Sequence, residues 1–591
     1  MMLAQMAVSR AELRINAAVS TASNQIQLTL SGASDNAAYI VSQATNAVNW
    51  ISVATGAVGQ TSFILPKPAN ATAFFRARAL ALPSPPIGLM SFADVSNILA
   101  QTVTRVTQLS TTGTVAVVDR EGFVLGVWSL QGASAPALDV LDAITKAGTA
   151  AFLSSTQEAF TSRTAGFIVQ QNFPPGIQNK PPGPLVGVNF SNLSFSDVNR
   201  FKNPHDGHDA TTFESGTNGA PIDGPAAISG LVGSPGGVPL YKNGNLLGGV
   251  GVVITGRPPI PALADIQMQA GQTYDVDEDA ALAGQIGYAP SSTILGSEVF
   301  IDGIRVPYMS SSTSLPAVLP LTNGAFVPPY SITDSPYVSY PIMNLSGIVG
   351  ELRAKIMDDP LLASDSSRLT AADVTNILTL SAQRAAITRA GIRLPAGVPA
   401  QVFITVVNNP GSNGVAPVVL GTFRTPDATI FSWDVAVQKA RTAVYFSRSN
   451  SLFGSAAAIS ARTVGFLAQA MYPPGIAGTS AGPWLGLQEQ FSLIPAGVTN
   501  PLNGVVFAAP TTTVNPDLPN GITIFPGGFP LYRNGKLIGA IGVSGDGIDQ
   551  DDLIAASGCV NFLAPAGTTA DNFIYRGARL PYAKFPRNPS L

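Results

Sequence analysis

Cysteine, histidine, charge and long apolar runs are all scarce in this chain of 591 residues. The lone cysteine, Cys559, excludes an intramolecular disulfide framework, a Cys-rich zinc site, an iron–sulfur cluster and covalently attached c-type haem. Charged residues make up 11%, and the 32 basic and 35 acidic side chains nearly cancel at −3. An average soluble protein carries roughly 25% charge. Phosphate binding needs a basic face, so no nucleic-acid footprint is predicted. The most apolar stretches, such as Leu246 to Ile254, are far too short to span a bilayer, which predicts no transmembrane segment. Met1 to Arg14 has no basic start followed by a long apolar segment, so no signal peptide is visible. Low lysine, low charge and near-absent cysteine nevertheless predict an exported protein, periplasmic, cell-surface or extracellular.

What is present is an apolar fraction of 46%, ample for buried cores, in a length that suggests three to five domains at roughly 100–200 residues each. Residues 11–80 alternate apolar and polar positions in short runs, as in Gln25-Ile-Gln-Leu-Thr-Leu30. That pattern predicts a small antiparallel β-sandwich, with Trp50 and Phe74-Phe75 as core aromatics and Leu82-Pro-Ser-Pro-Pro86 as a stiff closing linker.

The most informative feature is an internal repeat. Ala93-Asp-Val-Ser-Asn-Ile-Leu99 recurs as Ala372-Asp-Val-Thr-Asn-Ile-Leu378, with Ser91 and Thr370 as helix N-caps. Arg163-Thr-Ala-Gly-Phe167 and Phe173-Pro-Pro-Gly-Ile177 recur as Arg462-Thr-Val-Gly-Phe466 and Tyr472-Pro-Pro-Gly-Ile476. Gly183-Pro-Leu-Val-Gly187 recurs as Gly482-Pro-Trp-Leu-Gly486, and Pro235-Gly-Gly-Val-Pro-Leu-Tyr241 as Pro526-Gly-Gly-Phe-Pro-Leu-Tyr532. Arg305-Val-Pro-Tyr308 recurs as Arg579-Leu-Pro-Tyr582. Five blocks in one order define two copies of a domain. The predicted organisation is a β-sandwich module over 1–82, copy 1 over 90–310, a Pro/Ser-rich connector over 311–367 and copy 2 over 368–591. Each copy reads as a helix, a strand pair, further helices, a Gly/Pro-rich stretch and a hairpin turning on Asn-Gly. The class is α+β, with an antiparallel sheet covered by helices on one side.

On Pro526-Gly-Gly-Phe-Pro-Leu-Tyr532, Gly539-Ala-Ile-Gly-Val-Ser-Gly545, Gln550-Asp551 and Lys439-Ala-Arg-Thr-Ala443 preceded by Arg424, the repeat resembles the GlcG/HbpS-like family. That family includes haem-binding proteins and the C-terminal domain of PduO-type proteins. The resemblance implies two tandem profilin-like domains, frequent homo-oligomerisation and, in some members, a bound haem or related tetrapyrrole. It carries the expectation of a non-catalytic, exported binding protein. The alternative is a structural building block of a homo-oligomeric or filamentous assembly, whose uncharged faces pack against further copies.

Several residues are candidates for a site. Lys439, Arg441 and Arg448 share one predicted helix, and Arg424 ends the preceding strand. With Thr442 of the Lys-Ala-Arg-Thr motif they would clamp carboxylates such as haem propionates, or form a structural ion-pair network with Asp427 and Asp434. Copy 1 keeps Lys146 but lacks the arginines. Gly527 and Gly528, with the Tyr532 phenol, form either the floor of an apolar pocket or a tight hairpin entry; Tyr241 is the copy 1 counterpart. His205, Asp206, His208 and Asp209 form a His-x-x-His segment able to hold a divalent metal or ligate haem iron, or simply a solvated loop. Asp275-Val-Asp-Glu-Asp279 and the run containing Asp549 and Asp551 resemble the opening of calcium loops without their distal Glu; Asp551 equally suits a helix N-terminus. No nucleophile elbow, phosphate loop or dinucleotide fingerprint is present.

Overall fold

The structure is a computed structural model. It describes residues 14–20, 24–31, 38–46, 50–55, 61–68, 72–80, 89–169, 173–174, 183–185, 231–254, 274–336, 340–392, 394, 398–448, 453, 456–469, 471–476, 478–485, 517–518 and 522–584. The chain divides into two compact units, 1–85 with 342–351, and 86–341 with 352–591.

The first unit holds β1 (Arg14–Ser20), β2 (Gln25–Ser31), β3 (Ala38–Ala44), β4 (Ile51–Thr55), β5 (Ser62–Pro66) and β6 (Phe74–Leu80). They form two three-stranded antiparallel sheets, ordered β1-β2-β5 and β4-β3-β6. Alternation decides which face is buried: Ile26, Leu28 and Leu30 of β2 pack with Tyr39, Val41, Phe63 and Leu65, while Gln25, Gln27 and Thr29 face outward. The expected aromatic core is only partly present. Phe75 packs against this cluster, but Phe74 is exposed and Trp50 is half-buried, with the Arg76 guanidinium 4.5 Å from its ring centre. The linker Leu82–Pro86 lies outside the described residues.

The second unit contains both repeats. Copy 1 comprises α1 (Phe92–Leu109), β7 (Thr114–Asp119), β8 (Val124–Ser129), α2 (Ala137–Leu153), α3 (Ser162–Ile168), β9 (Gly237–Lys242), β10 (Asn245–Val253) and α4 (Val276–Gly284). Copy 2, which in the chain follows β11 (Ala325–Phe326) and the β12–β13 hairpin (Ile342–Leu345, Ile348–Ala354; residues 342–351 group with the first unit), repeats the series. Its members are α5 (Ala371–Ala385), β14 (Phe403–Asn408), β15 (Val419–Arg424), α6 (Phe431–Arg448), α7 (Ala461–Leu467), β16 (Gly528–Arg533), β17 (Lys536–Ser544) and α8 (Ile548–Gly558). The central strands run in the same antiparallel order, β8-β7-β10-β9 and β15-β14-β17-β16. Ser91 and Thr370 each close a capping box with the aspartate three residues on. The Asn-Gly turns carry positive φ at both positions, 52° and 78° at Asn243-Gly244, 50° and 78° at Asn534-Gly535, as a type I′ hairpin requires.

The sheets are covered on both faces, not one. Every residue of β7 and β14 is buried. Val115, Val117, Val250 and Val252 pack with α1 and α4 residues such as Ile98, Leu99 and Ala281, whereas Ala116 and Val118 pack with Ala143, Ile144 and Ala147 of α2. On that second face β10 carries Gly249 and Gly251, where a Cβ would lie 2.2 Å from the Ala147 carbonyl and 2.1 Å from that of Ala143. Glycine therefore lets α2 lie directly on the sheet, and Gly542 does the same for α6. Segment 311–367 contributes structure of its own: β11 pairs with β8, and Asp359 accepts from the Asn408 side chain.

The two copies share a hydrophobic core. One buried cluster holds Ile144, Phe152 and Leu153 of copy 1 together with Phe431, Trp433 and Val437 of copy 2. Polar contacts reinforce the joint: the Asp427 carboxylate accepts from the Thr156 and Gln157 backbone N–H groups at 3.0 and 3.2 Å. Arg353, fully buried, forks onto Glu121 at 2.8 and 3.0 Å and lies 3.7 Å from the Tyr340 ring centre and 5.1 Å from that of Trp433.

Candidate functional site

The cations proposed as a clamp are spread over separate internal partners. The Lys439 ammonium, buried on α6, donates to the Val543 carbonyl at 2.7 Å and the Asp551 carboxylate at 2.8 Å. Arg441 is fully buried and donates to the Pro417 carbonyl at 3.2 Å. Arg424 donates through two nitrogens to the Ala428 carbonyl at 3.0 and 2.7 Å, with Phe403 beneath its guanidinium. Arg448 donates to the Ser412 carbonyl at 2.8 Å and pairs with Asp517. The Thr442 hydroxyl accepts from the Thr523 backbone N–H at 3.1 Å. Two separate ion pairs are present, Lys439–Asp551 and Arg448–Asp517; Asp427, expected as a network partner, instead accepts from Thr156 and Gln157 of copy 1.

The glycine pair is equally internal. Gly527 has φ +109°, and a Cβ there would meet the Val543 carbonyl at 2.6 Å; one on Gly528 would meet the Lys439 carbonyl at 2.5 Å. Gly236 and Gly237 repeat the arrangement around Lys146. The glycines seat the hairpin on the buried lysine. Burial pushes the Tyr532 phenol up to about 12, and the Tyr241 hydroxyl donates to the Ser155 and Glu158 carbonyls at 2.7 and 3.0 Å.

The acidic runs are cap and ion-pair residues. Asp275 caps α4 by accepting from the Asp277 and Glu278 backbone N–H groups, while Asp277 pairs with Lys146, Glu278 with Arg163 and Asp279 with Arg105. In copy 2, Asp549 pairs with Arg462 and Lys584, Asp551 with Lys439 and Asp552 with Arg462. With each carboxylate matched to a cation or N–H group, the calcium reading is not supported, and no group of three metal-ligating side chains occurs among the described residues. His205, Asp206, His208 and Asp209 lie outside the described residues.

The same lysine–carboxylate pair thus sits in both copies, but with different surroundings. Lys146 has two carboxylates, Asp277 at 2.9 Å and Asp142 at 3.5 Å, one helical turn earlier. Burial works against its charge, yet the Asp142 and Asp277 charges outweigh it and raise the ammonium above its ordinary range. Asp277 accepts at both oxygens, from Lys146 and from the Ile254 N–H. In copy 2, Val435 stands one turn before Lys439, where Asp142 stands in copy 1. With Asp551 as its direct partner and Asp552 adding its charge, burial still wins: Lys439 is lowered, and Asp551 is pushed up to about 6 by its own burial despite Lys439 beside it. Asp551 Oδ1 is buried with no hydrogen-bond partner.

This incompletely satisfied pair lines a cavity. Its walls are Phe431, Val435, Phe525, Ile548 and Ile392 of copy 2 and Pro184 and Leu185 of copy 1, with Gly545 and Gly547 alongside. The space totals about 270 Å³ including the part open to solvent, and its interior is about the size of one water molecule. Nothing in the sequence pattern pointed to a joint site; the available signal was Val435 replacing Asp142 one turn before a repeated lysine.

The cavity beside Lys439 and Asp551 is far smaller than a tetrapyrrole. Arg424, Lys439, Arg441 and Arg448 are committed to separate backbone and carboxylate partners, so they do not form a propionate clamp. Cys559 is also unsuited to chemistry: it is buried, and burial pushes its thiol well above the ordinary range.

The family described as haem degrading protein HbpS-like matches residues 378–559, within copy 2. An uncharacterized 15.0 kDa protein from the dhaT–dhaS intergenic region of Citrobacter freundii is 59% identical over 34 residues, 6% of this chain; the match spans 24% of that relative's length. A crystal structure of a PduOC–haem complex is 22% identical, with TM-score 0.21, over 33% of this chain and 98% of that one. The crystal structure of Klebsiella pneumoniae protein ORFY is 19% identical, with TM-score 0.20, over 37% and 95%. Among the described residues no helix is long and apolar enough to cross a membrane.

Proposed function

We propose that this chain is a non-catalytic, exported binding protein, in which a tandem pair of HbpS-like domains shares one hydrophobic core and copy 2 is the binding half. The observation that carries the reading is the family match at 378–559, which falls within copy 2. The family description and the PduOC–haem complex make a tetrapyrrole the first ligand to test. A tetrapyrrole held here uses groups other than Arg424, Lys439, Arg441 and Arg448, because those four are engaged internally.

Haem titration into the full chain, followed by absorption, tests this. The expected result is a saturable Soret shift that is stable with time and unchanged in Arg448→Gln. Absence of a shift overturns the tetrapyrrole reading, a band that decays by turnover overturns the non-catalytic one, and loss of binding in Arg448→Gln restores the clamp.

A second reading is favoured by the shared core: the tandem copies serve as a building block whose homotypic surface is already used within the chain. Light scattering on the same sample separates the two. A dilution-stable monomer excludes an assembly, whereas a large species without a Soret shift supports it.

A further inference from the structure

The geometry points to a segment-accepting groove on copy 1, between β8 and the start of α1, that takes a short Ile-x-Asp-x-Pro segment and accepts it from a second copy of this chain. The segment occurs twice, as Ile332-Thr-Asp-Ser-Pro336 and Ile356-Met-Asp-Asp-Pro360. Each occurrence fills the equivalent groove of its own copy with the same contacts. The Thr333 N–H donates to the Leu125 carbonyl of β8 at 3.0 Å, and the Met357 N–H to the Leu420 carbonyl of β15 at 2.9 Å. Two residues on, the Ser335 and Asp359 N–H groups donate to the Met90 and Leu369 carbonyls, both at 2.9 Å. Between them, the Asp334 carboxylate accepts from the Phe92 N–H at 2.6 Å and the Asp358 carboxylate from the Ala371 N–H at 2.6 Å. Phe92 and Ala371 open α1 and α5, where N–H groups lack helical partners and favour a negative charge. Each isoleucine sits over a glycine: a Cβ on Gly126 would lie 3.7 Å from Ile332 Cγ1, and one on Gly421 3.2 Å from Ile356 Cγ1.

What differs is where the segment comes from. Asp358 stands 13 positions before the residue it caps, whereas Asp334 stands 242 positions after its own. The same contacts are therefore made by a segment entering ahead of the domain in copy 2 and by one returning behind the domain in copy 1. Recognition thus resides in the segment and not in its connection, which is the condition for supplying it from another molecule. The division of labour is that of strand addition to a sheet edge, with main-chain bonds giving affinity while the glycine notch and the helix N–H select isoleucine and aspartate. Exchange of an identical element between protomers is a low-cost route to dimers. The source of the segment rests on the building-block reading; the groove itself does not.

The test uses the full chain carrying Ile332→Ser and Asp334→Asn, which weakens the segment held in cis. The probe is a fluorescein-labelled peptide of residues 329–336, read by anisotropy. It is expected to bind this variant saturably and roughly tenfold or more tightly than it binds the wild type, whose own segment competes at high effective concentration. An unlabelled peptide of residues 353–360 is expected to displace it, and a 329–336 peptide carrying the same two substitutions is expected not to bind. A second chain carrying Gly126→Val has its own groove filled and its segment intact. Mixed in equal amounts with the first variant, it is expected to give a two-chain species by light scattering beyond what either gives alone. No peptide binding, or equal binding of the substituted peptide, overturns the groove. Peptide binding without a two-chain species overturns the second copy as donor. The copy 2 counterparts, Ile356→Ser with Asp358→Asn and Gly421→Val, keep the test decisive should the first set fail to fold. Haem titration is independent of all these outcomes.

Discussion

Replacing Arg353 by methionine tests whether the joint between the copies is held by a buried ion pair. Arg353 is fully buried, forks onto Glu121 at 2.8 and 3.0 Å, and packs over Tyr340 and Trp433. Burial by itself would raise the Glu121 carboxyl, but the Arg353 charge and hydrogen bonds outweigh it and hold the group at about 2 instead of 4.5. That difference corresponds to roughly 3 kcal/mol at pH 7. It agrees in size with the roughly 3–5 kcal/mol lost when one partner of a buried pair is removed. Because the folded-state value is depressed, the stabilisation is complete above the unfolded value near 4.5 and is lost as pH falls through 2. At pH 3 it shrinks to about 1.5 kcal/mol. Urea unfolding of Arg353→Met should therefore show a loss of about 3 kcal/mol or somewhat more at pH 7, with the gap to wild type roughly halved at pH 3. A variant within about 1 kcal/mol of wild type at pH 7, or a gap that does not change with pH, would refute the reasoning.

Three further outcomes follow from the same kind of evidence. Lys439→Met leaves Asp551 buried without its cation and should cost about 3–5 kcal/mol, most of it recovered in the Lys439→Met/Asp551→Leu double variant; a double-mutant cycle by denaturant unfolding measures the coupling. Gly237→Ala should lower stability by roughly 1–3 kcal/mol and Gly528→Ala by somewhat less, because the added Cβ would sit 2.2 Å from the Lys146 carbonyl in one case and 2.5 Å from that of Lys439 in the other; thermal denaturation ranks them. Asp119, fully buried, is raised by that burial to about 7, so its contribution is present at low pH and is lost as pH rises through 7. Asp119→Asn keeps an acceptor for the Glu121 and Phe123 N–H groups and should gain stability on wild type between pH 5 and pH 8; a constant difference across that range would be inconsistent.

Much of the fold was legible because its signals are local. Ser91 and Thr370 announce capping boxes, the Asn-Gly dipeptides announce hairpins, and 137–153 carries the periodicity of α2, since each depends on residues within a turn or two of one another. The second helical layer was not legible. Alternation along β7 is invisible when both faces are apolar, and Val115 and Ala116 look alike in sequence although they face different helices. The candidate site divided in the same way. Lys439 and Asp551 were both singled out, but 112 positions separate them, and pairing at that range is a tertiary property. Leu185 lies in the repeated Gly183–Gly187 block, but nothing in that repeat placed it against the other copy.

By itself the sequence determined that one domain is written twice, where its helices and hairpins begin, and that copy 2 holds cations where copy 1 has Gly148 and Ser155. Those facts reside in residue order. Only the tertiary structure decided what the cations do. With so few charges and a shared core to build, the buried charges described in these repeats mostly lie beside a partner, because an unpaired charge in an apolar interior costs more than folding can supply. The tertiary structure also singled out Asp551, whose second oxygen is left over where Val435 replaces Asp142 and the two copies meet.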